Sequence, residues 1–399
     1  MNIKTNYSLT KKACYIAYVV QAMAVNFAPL LYLTFMNSYG ISYGQISLII
    51  ITTFVVQVVS DLLSPIFINK IGYRKLSMLA HTVSAIGFIM LGILPNIFEN
   101  AYIGIMVACF FYSLGSGLIE ALVSPIVEAC PSEHKESAMG ILHSFFCWGS
   151  AAVILAATLF FVLFGTDKWY VFSICLALVP IFNFVLFIIV PMPKTENVAG
   201  GSDVTILSLL KRKIIWVVVI LMFLSGATEL AMSQWASVFA ESGLGVSKTF
   251  GDIMGPFMFA VMMGTGRIVY SIIVKKVPLL KYMTLSAILC VVAYLTAALC
   301  KNPVIALIGC GISGFAVGVF WPGTFSYATQ KCPDGGASLF GLLAFSGDMG
   351  CMVIPALVGV LAGIFKNGLK TALLVATLCP LALFLISFGL STLKKRIGK

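Results

Sequence analysis

Charge is what this sequence has least of. Only 10% of its 399 residues are Asp, Glu, Lys or Arg, against ~25% in soluble domains. That shortfall excludes a soluble fold. Catalytic signatures are missing too. The chain contains no P-loop, HExxH or GxSxG, so neither ATP-driven transport nor enzymatic catalysis is expected of it. The 11 cysteines never take a CxxC spacing and lie mostly in apolar runs. They read as small packing residues, and no metal or cofactor is expected. The N-terminus, MNIKTNYSLTKKACYIAYVVQ, lacks a signal-peptide cleavage pattern. It reads as a short basic tail feeding the first apolar run.

Apolar runs fill the rest. Hydrophobic residues make up 60% of the chain and the mean hydropathy is +1.05. A membrane-crossing helix needs ~20 such residues. The pattern predicts an all-α membrane protein with helices over 12–36, 42–68, 76–95, 101–129, 138–164, 169–192, 213–240, 249–275, 279–300, 303–330, 338–364 and 369–393. Turn-like breaks separate them, such as Asn37–Gly40, Gly72 and Gly243–Lys248. One long polar stretch, Pro191–Lys213, contains TENVAGGSD and the cluster Lys211, Arg212 and Lys213. It divides the chain into two six-helix bundles, 1–192 and 213–399, joined by a cytoplasmic linker over 193–212.

An even number of spans puts both termini on one side. That side carries 19 Lys and Arg: 4, 11, 12, 70, 74, 75, 135, 194, 211, 212, 213, 275, 276, 281, 331, 394, 395, 396 and 399. The opposite loops carry 5, at 168, 248, 301, 366 and 370, and Arg267 lies inside a span. The asymmetry predicts cytoplasmic termini. It also accounts for the net charge of +11 without a nucleic-acid partner. Compact size and short loops suggest a monomer in a bacterial inner membrane.

The halves resemble each other. Cys130-Pro131 follows the fourth helix and Cys332-Pro333 the tenth. Gly140 and Gly149 then align with Gly341 and Gly350 at one constant offset. Parallel six-helix repeats are a transporter signature.

Five charged residues interrupt the predicted spans: Asp61, Glu120, Glu229, Arg267 and Asp348. A charge at membrane depth costs at least ~2.5–3.5 kcal/mol on insertion scales, and such groups usually face a cavity, an ion path or a partner.

Residues Pro65-Ile-Phe-Ile-Asn69-Lys70-Ile71-Gly72-Tyr73-Arg74-Lys75 resemble the G-x-x-x-D-R/K-x-G-R/K-R/K loop of the major facilitator superfamily. Pro65 replaces the glycine and Asn69 the aspartate. Gly264-Thr265-Gly266-Arg267 is similar to a degenerate second copy. In that family the loop latches the cytoplasmic gate, which implies gating roles for Gly72 and Arg74. The run Gly117-Leu-Ile-Glu120-Ala-Leu-Val-Ser124-Pro125 resembles helix 4 of the fucose/galactose/glucose proton symporters, with Ser-Pro where they have Asn-Pro. The resemblance implies that Glu120 couples a proton. The helix 1 acid of the fucose symporter is not matched; VNFAPLLY offers Asn26 instead. The family further implies that helices 1, 4, 7 and 10 line a cavity between the halves.

On this reading Glu120, Glu229 and His143 are the proton-coupling candidates. Buried unpaired acids and a lone histidine are the side chains that can titrate near neutrality. Gln21, Asn26, Glu120, Trp148, Glu229, Gln234, Trp235 and Trp321 are the substrate candidates, because carboxylates and amides bond hydroxyls while indole rings pack on apolar sugar faces. Asp61, Arg267 and Asp348 join Gly72 and Arg74 as gating candidates, since a buried arginine needs an anion: Asp348 or an acid of helix 7. The function expected is proton symport of a small polar solute, a sugar or polyol. A proton-coupled exporter of amphipathic compounds is the alternative, suggested by Met222, Met232, Met254, Met258, Met262 and Met263. Uniport, and a non-transporting membrane sensor, stay open.

Overall fold

A computed structural model of the chain describes residues 7–131, 135–193, 204–273, 276–366 and 368–397. Among them are 12 helices long and apolar enough to cross a membrane and no strand. They are α1 (Tyr7–Tyr39), α2 (Tyr43–Ser64), α3 (Lys70–Ile97), α4 (Ala101–Ala129), α5 (Ile141–Phe164) and α6 (Thr166–Ile189). The second set is α7 (Lys213–Gly243), α8 (Lys248–Ile272), α9 (Leu279–Leu299), α10 (Pro303–Lys331), α11 (Ser338–Ile364) and α12 (Gly368–Thr392). Helices dominate because hydrocarbon offers the backbone no hydrogen bonds, so each span must satisfy its own.

The chain forms two compact units. One comprises Met1–Ile41 with Leu48–Gly200; the other comprises Ser42–Ser47 with Gly201–Lys399. Of the expected linker, 194–203 lies outside the described residues. Its remainder is more ordered than its polarity suggested. Ile206–Leu210 is a short helix, capped by the Thr205 hydroxyl, which accepts from the Ser208 N–H. Leu209 anchors it, fully buried.

One aligned pair, Gly149 and Gly350, marks equivalent packing in each unit, whereas a Cβ on Gly341 would meet nothing. A Cβ on Gly149 would come within 3.0 Å of Val19 Cα, so α5 lies directly on α1. A Cβ on Gly350 would overlap the Phe223 carbonyl, so α11 lies directly on α7. Small residues permit this backbone approach where helices associate in lipid. Each unit also has a tie at the start of its first span. Lys11 Nζ donates to Pro131 O (3.1 Å), and Arg212 forks onto Asp334 at 2.8 and 2.6 Å. That bidentate bond holds the exposed Asp334 carboxyl below its ordinary range.

The long run that holds α2 and α3 breaks at one residue, in the first turn of α3. Gly72, with φ +79°, is the non-helical point in an otherwise helical run from Tyr43 to Ile97. An L side chain is strained in this left-handed region.

Several spans are broken in their middle. α1 passes through a 3₁₀ turn at Ala28–Leu31, α7 loses its helix at Gln234–Trp235, and α10 breaks between Val317 and Phe320. Asn26, Gln234, Trp235 and Trp321 all sit at or beside these breaks. Discontinuous helices recur at transporter binding sites.

Candidate functional site

In the first unit, polar side chains from α1, α2 and α4 converge on Glu120. Its Oε2 accepts from Gln21 Nε2 at 2.7 Å and from Gln57 Nε2. Gly117, one helical turn earlier, brings Gln57 there. A Cβ on Gly117 would meet Gln57 Cα at 2.8 Å, so the missing side chain lets α2 close on α4. Gln21 and Gln57 are 4% and 2% exposed, whereas Glu120 is half-buried. The carboxylate is therefore held through one oxygen, Oε2, by two amides.

One turn from Glu120, Ser124 Oγ lies 3.2 Å from Tyr18 Oη. The Tyr18 ring tilts against His143, with centroids 5.4 Å apart, and His143 is itself exposed. Polar groups thus run from the exposed start of α5 to Ser124, beside Glu120.

In the second unit, Glu229 on α7 is 7% exposed and lies 4.0 Å from Arg267 of α8. Burial of an arginine demands such a counter-charge. Asp348 is buried on α11, 3% exposed. The side chain of Asp61 lies outside the described residues.

Other candidates have definite packing partners. Asn26 Nδ2 donates to Ala22 O and Ser150 Oγ, both at 2.9 Å, so its two N–H bonds tie α1 to α5. Trp235 is fully buried; its Nε1–H donates to Pro355 O at 2.8 Å, and its ring faces Tyr43 at 5.9 Å. Gln234 beside it is 3% exposed. Trp321 is half-buried, its ring edge covering Gly347. Trp148 is 40% exposed on α5 and belongs to neither cluster. Arg74 donates to the carbonyls of Phe187, Ile188 and Val190 at 2.6–2.7 Å. It caps the C-terminal end of α6, where a cation meets the negative end of the helix dipole. Met222, Met232 and Met263 are buried packing residues.

Replacing Trp235 with phenylalanine removes one ring from a fully buried side chain and deletes the bond to Pro355. A loss of roughly 2–3 kcal/mol is expected, with solute affinity unchanged. A thermal melt and a binding isotherm check it; a tenfold loss of affinity at unaltered stability would assign the indole to the solute instead.

Sequence reading missed two features. Gln57 is an amide alone in the apolar run FVVQVVS, an isolation that could have flagged it as an interhelical partner. The second is an ion cluster. Lys248 Nζ lies 3.2 Å from Glu241 Oε1 and 3.0 Å from Asp252 Oδ2, while Ser237 Oγ donates to Asp252 Oδ1 at 2.6 Å. Lys248 had been read as a loop charge; its side chain is only 15% exposed. The four-residue step from Lys248 to Asp252 on one helix was the available signal. The π-helical turns Phe239–Gly243 and Ile253–Phe257 flank the cluster and bring α7 and α8 together around it.

The fold has known counterparts. The family model for the Major Facilitator Superfamily matches residues 14–355. The chain is similar in structure to the nucleoside transporter NupG (TM-score 0.76, 12% identity, covering 98% of this chain and 99% of that one). It is also similar to the xylose transporter XylE from E. coli (0.77, 10%, 96% and 98%) and to FucP in its outward conformation (0.64, 14%, 96% and 98%). No curated protein matches it by sequence. Twelve apolar helices in two compact units, buried charges within them and the matching family model lead to one conclusion: the chain is a multi-pass membrane transporter and belongs to the Major Facilitator Superfamily.

Proposed function

We propose that this transporter carries a small polyhydroxylated solute together with a proton by alternating access, with Glu120 as the proton site. One observation carries the reading: a carboxylate within an apolar span held by two neutral amides at the junction of α1, α2 and α4. Its partners among the described residues include no cation. Glu229 differs, because Arg267 competes with a proton there. Neutral surroundings suit a group that must gain and lose charge within one cycle.

The solute class rests on chemistry and on likeness. A carboxylate, amides and a tyrosine hydroxyl are donors and acceptors of the kind that hydroxyl groups satisfy. Similar folds include a D-xylose-proton symporter and the nucleoside transporter NupG, whose solutes share a hydroxylated ring. Glu229 and Arg267 form a fixed charge pair in the second unit, and His143, Tyr18 and Ser124 give a proton a polar approach to Glu120. The Lys and Arg asymmetry supports cytoplasmic termini.

A thermal-shift screen of the purified protein tests the class. Sugars, polyols, nucleosides, organic acids and hydrophobic cations are compared over a pH series. Stabilisation by a hydroxylated ring solute, varying with pH, is expected. Stabilisation by hydrophobic cations alone would replace this reading with export of amphipathic compounds.

A further inference from the structure

We propose that Gln57 and Gln21 form a positioning pair for Glu120, in which one amide turns over when the proton arrives. The inference rests on Glu120 being the coupled proton's site. Both amide N–H groups point at a single carboxylate oxygen, Oε2. Both amide carbonyl oxygens, Gln21 Oε1 and Gln57 Oε1, are buried without a hydrogen-bond partner. Such stranded acceptors are unfavourable, and two of them flank one titratable group.

The chemistry of the three groups explains the arrangement. An ionised carboxylate only accepts, so it takes the two N–H groups and leaves the carbonyls idle. A protonated carboxyl gains one O–H donor. A half-turn of an amide about its last side-chain bond exchanges N and O in nearly the same volume. The new O–H then donates to a carbonyl that had no partner. One N–H···O bond is replaced by one O–H···O bond, and one stranded carbonyl is exchanged for the amide N–H₂ that turns into its place, so the exchange is driven by the new O–H finding an acceptor. The side chains belong to α1, α2 and α4, so the proton changes which atoms tie three spans together. The amide pair is thus matched to both protonation states.

Of the nearby groups, Ser116 Oγ is also buried without a hydrogen-bond partner, and the others are engaged. From α1 come Tyr18 and Gln21, from α2 Gln57 and Ser60, from α4 Ser116 and Ser124, and from α5 His143. Tyr18 is engaged with Ser124 and His143, and Ser60 donates to Val56 O. Asp61, one turn beyond Gln57, lies outside the described side chains.

Infrared difference spectroscopy over a pH series tests this on the intact protein without any solute. The carboxyl C=O band of Glu120 is identified by its loss in Glu120→Gln. A side-chain amide C=O band, assigned by isotope-labelled glutamine, is expected to shift with the same midpoint. In Gln57→Met the carboxyl midpoint should move up by about one pH unit, because the charged form loses a donor. A titrating carboxyl with no amide band following it overturns the amide turnover alone. No titrating band lost in Glu120→Gln overturns the proton site itself. Should Gln57→Met fail to fold, the wild-type amide band still decides. An amide band that moves only on adding xylose, at constant pH, assigns the carbonyls to solute hydroxyls and overturns the proposal.

Discussion

Proton-driven accumulation should collapse when Glu120 is replaced by glutamine, while solute counterflow continues. Glutamine keeps an acceptor where Glu120 Oε2 now receives Gln21 and Gln57, so the junction of α1, α2 and α4 survives. What disappears is the capacity to bind and release a proton. Each unit of pH gradient is worth about 1.36 kcal/mol, which supports a roughly tenfold accumulation at one proton per solute. In proteoliposomes with a two-unit gradient, a wild-type accumulation of up to about a hundredfold should fall to near unity. Counterflow, which needs no net proton movement, reports that the variant still folds and turns over. Accumulation at the wild-type level would remove Glu120 from the coupling step.

The second large effect is on stability. Glu229→Gln removes the anion 4.0 Å from Arg267 at a site where the two side chains are 9% and 18% exposed. Breaking a buried pair by deleting one partner costs about 3–5 kcal/mol, since the remaining charge stays buried. The melting temperature should fall by on the order of 5–10 °C. Arg267→Met alone should be comparably damaging. The double variant Glu229→Gln/Arg267→Met should recover most of the loss, because no uncompensated charge remains. Losses that simply add in the double variant would show that the two side chains do not stabilise each other.

Much of this was legible in the sequence, and the reasons differ by feature. Spans were readable because bilayer thickness imposes a length on apolar runs. The Gly72 break was readable because glycine tolerates φ +79°. Glu120 stood out through the cost of a carboxylate in an apolar helix. Its partners did not. Gln57 meets Glu120 only because Gly117 lets α2 approach α4, a fact of packing between helices distant in sequence. Trp235 has packing partners that the sequence could not show. An indole beside Gln234 in a predicted cavity helix suggested a solute platform, yet α7 turns at that point and buries the ring against Pro355 and Tyr43. Lys248 was read from its position between spans, and only the fold reveals that Glu241 and Asp252 draw it inward.

The account stands on Glu120 carrying the coupled proton. Calorimetry measures this directly, by following binding of the screened solute in two buffers of different ionisation enthalpy. The difference gives the protons taken up per solute bound. Wild-type protein should take up close to one proton at high pH, falling to none at low pH where the site is already filled, and Glu120→Gln should take up none at any pH. An equal proton count in wild type and Glu120→Gln, or none in the wild type throughout, would contradict the account.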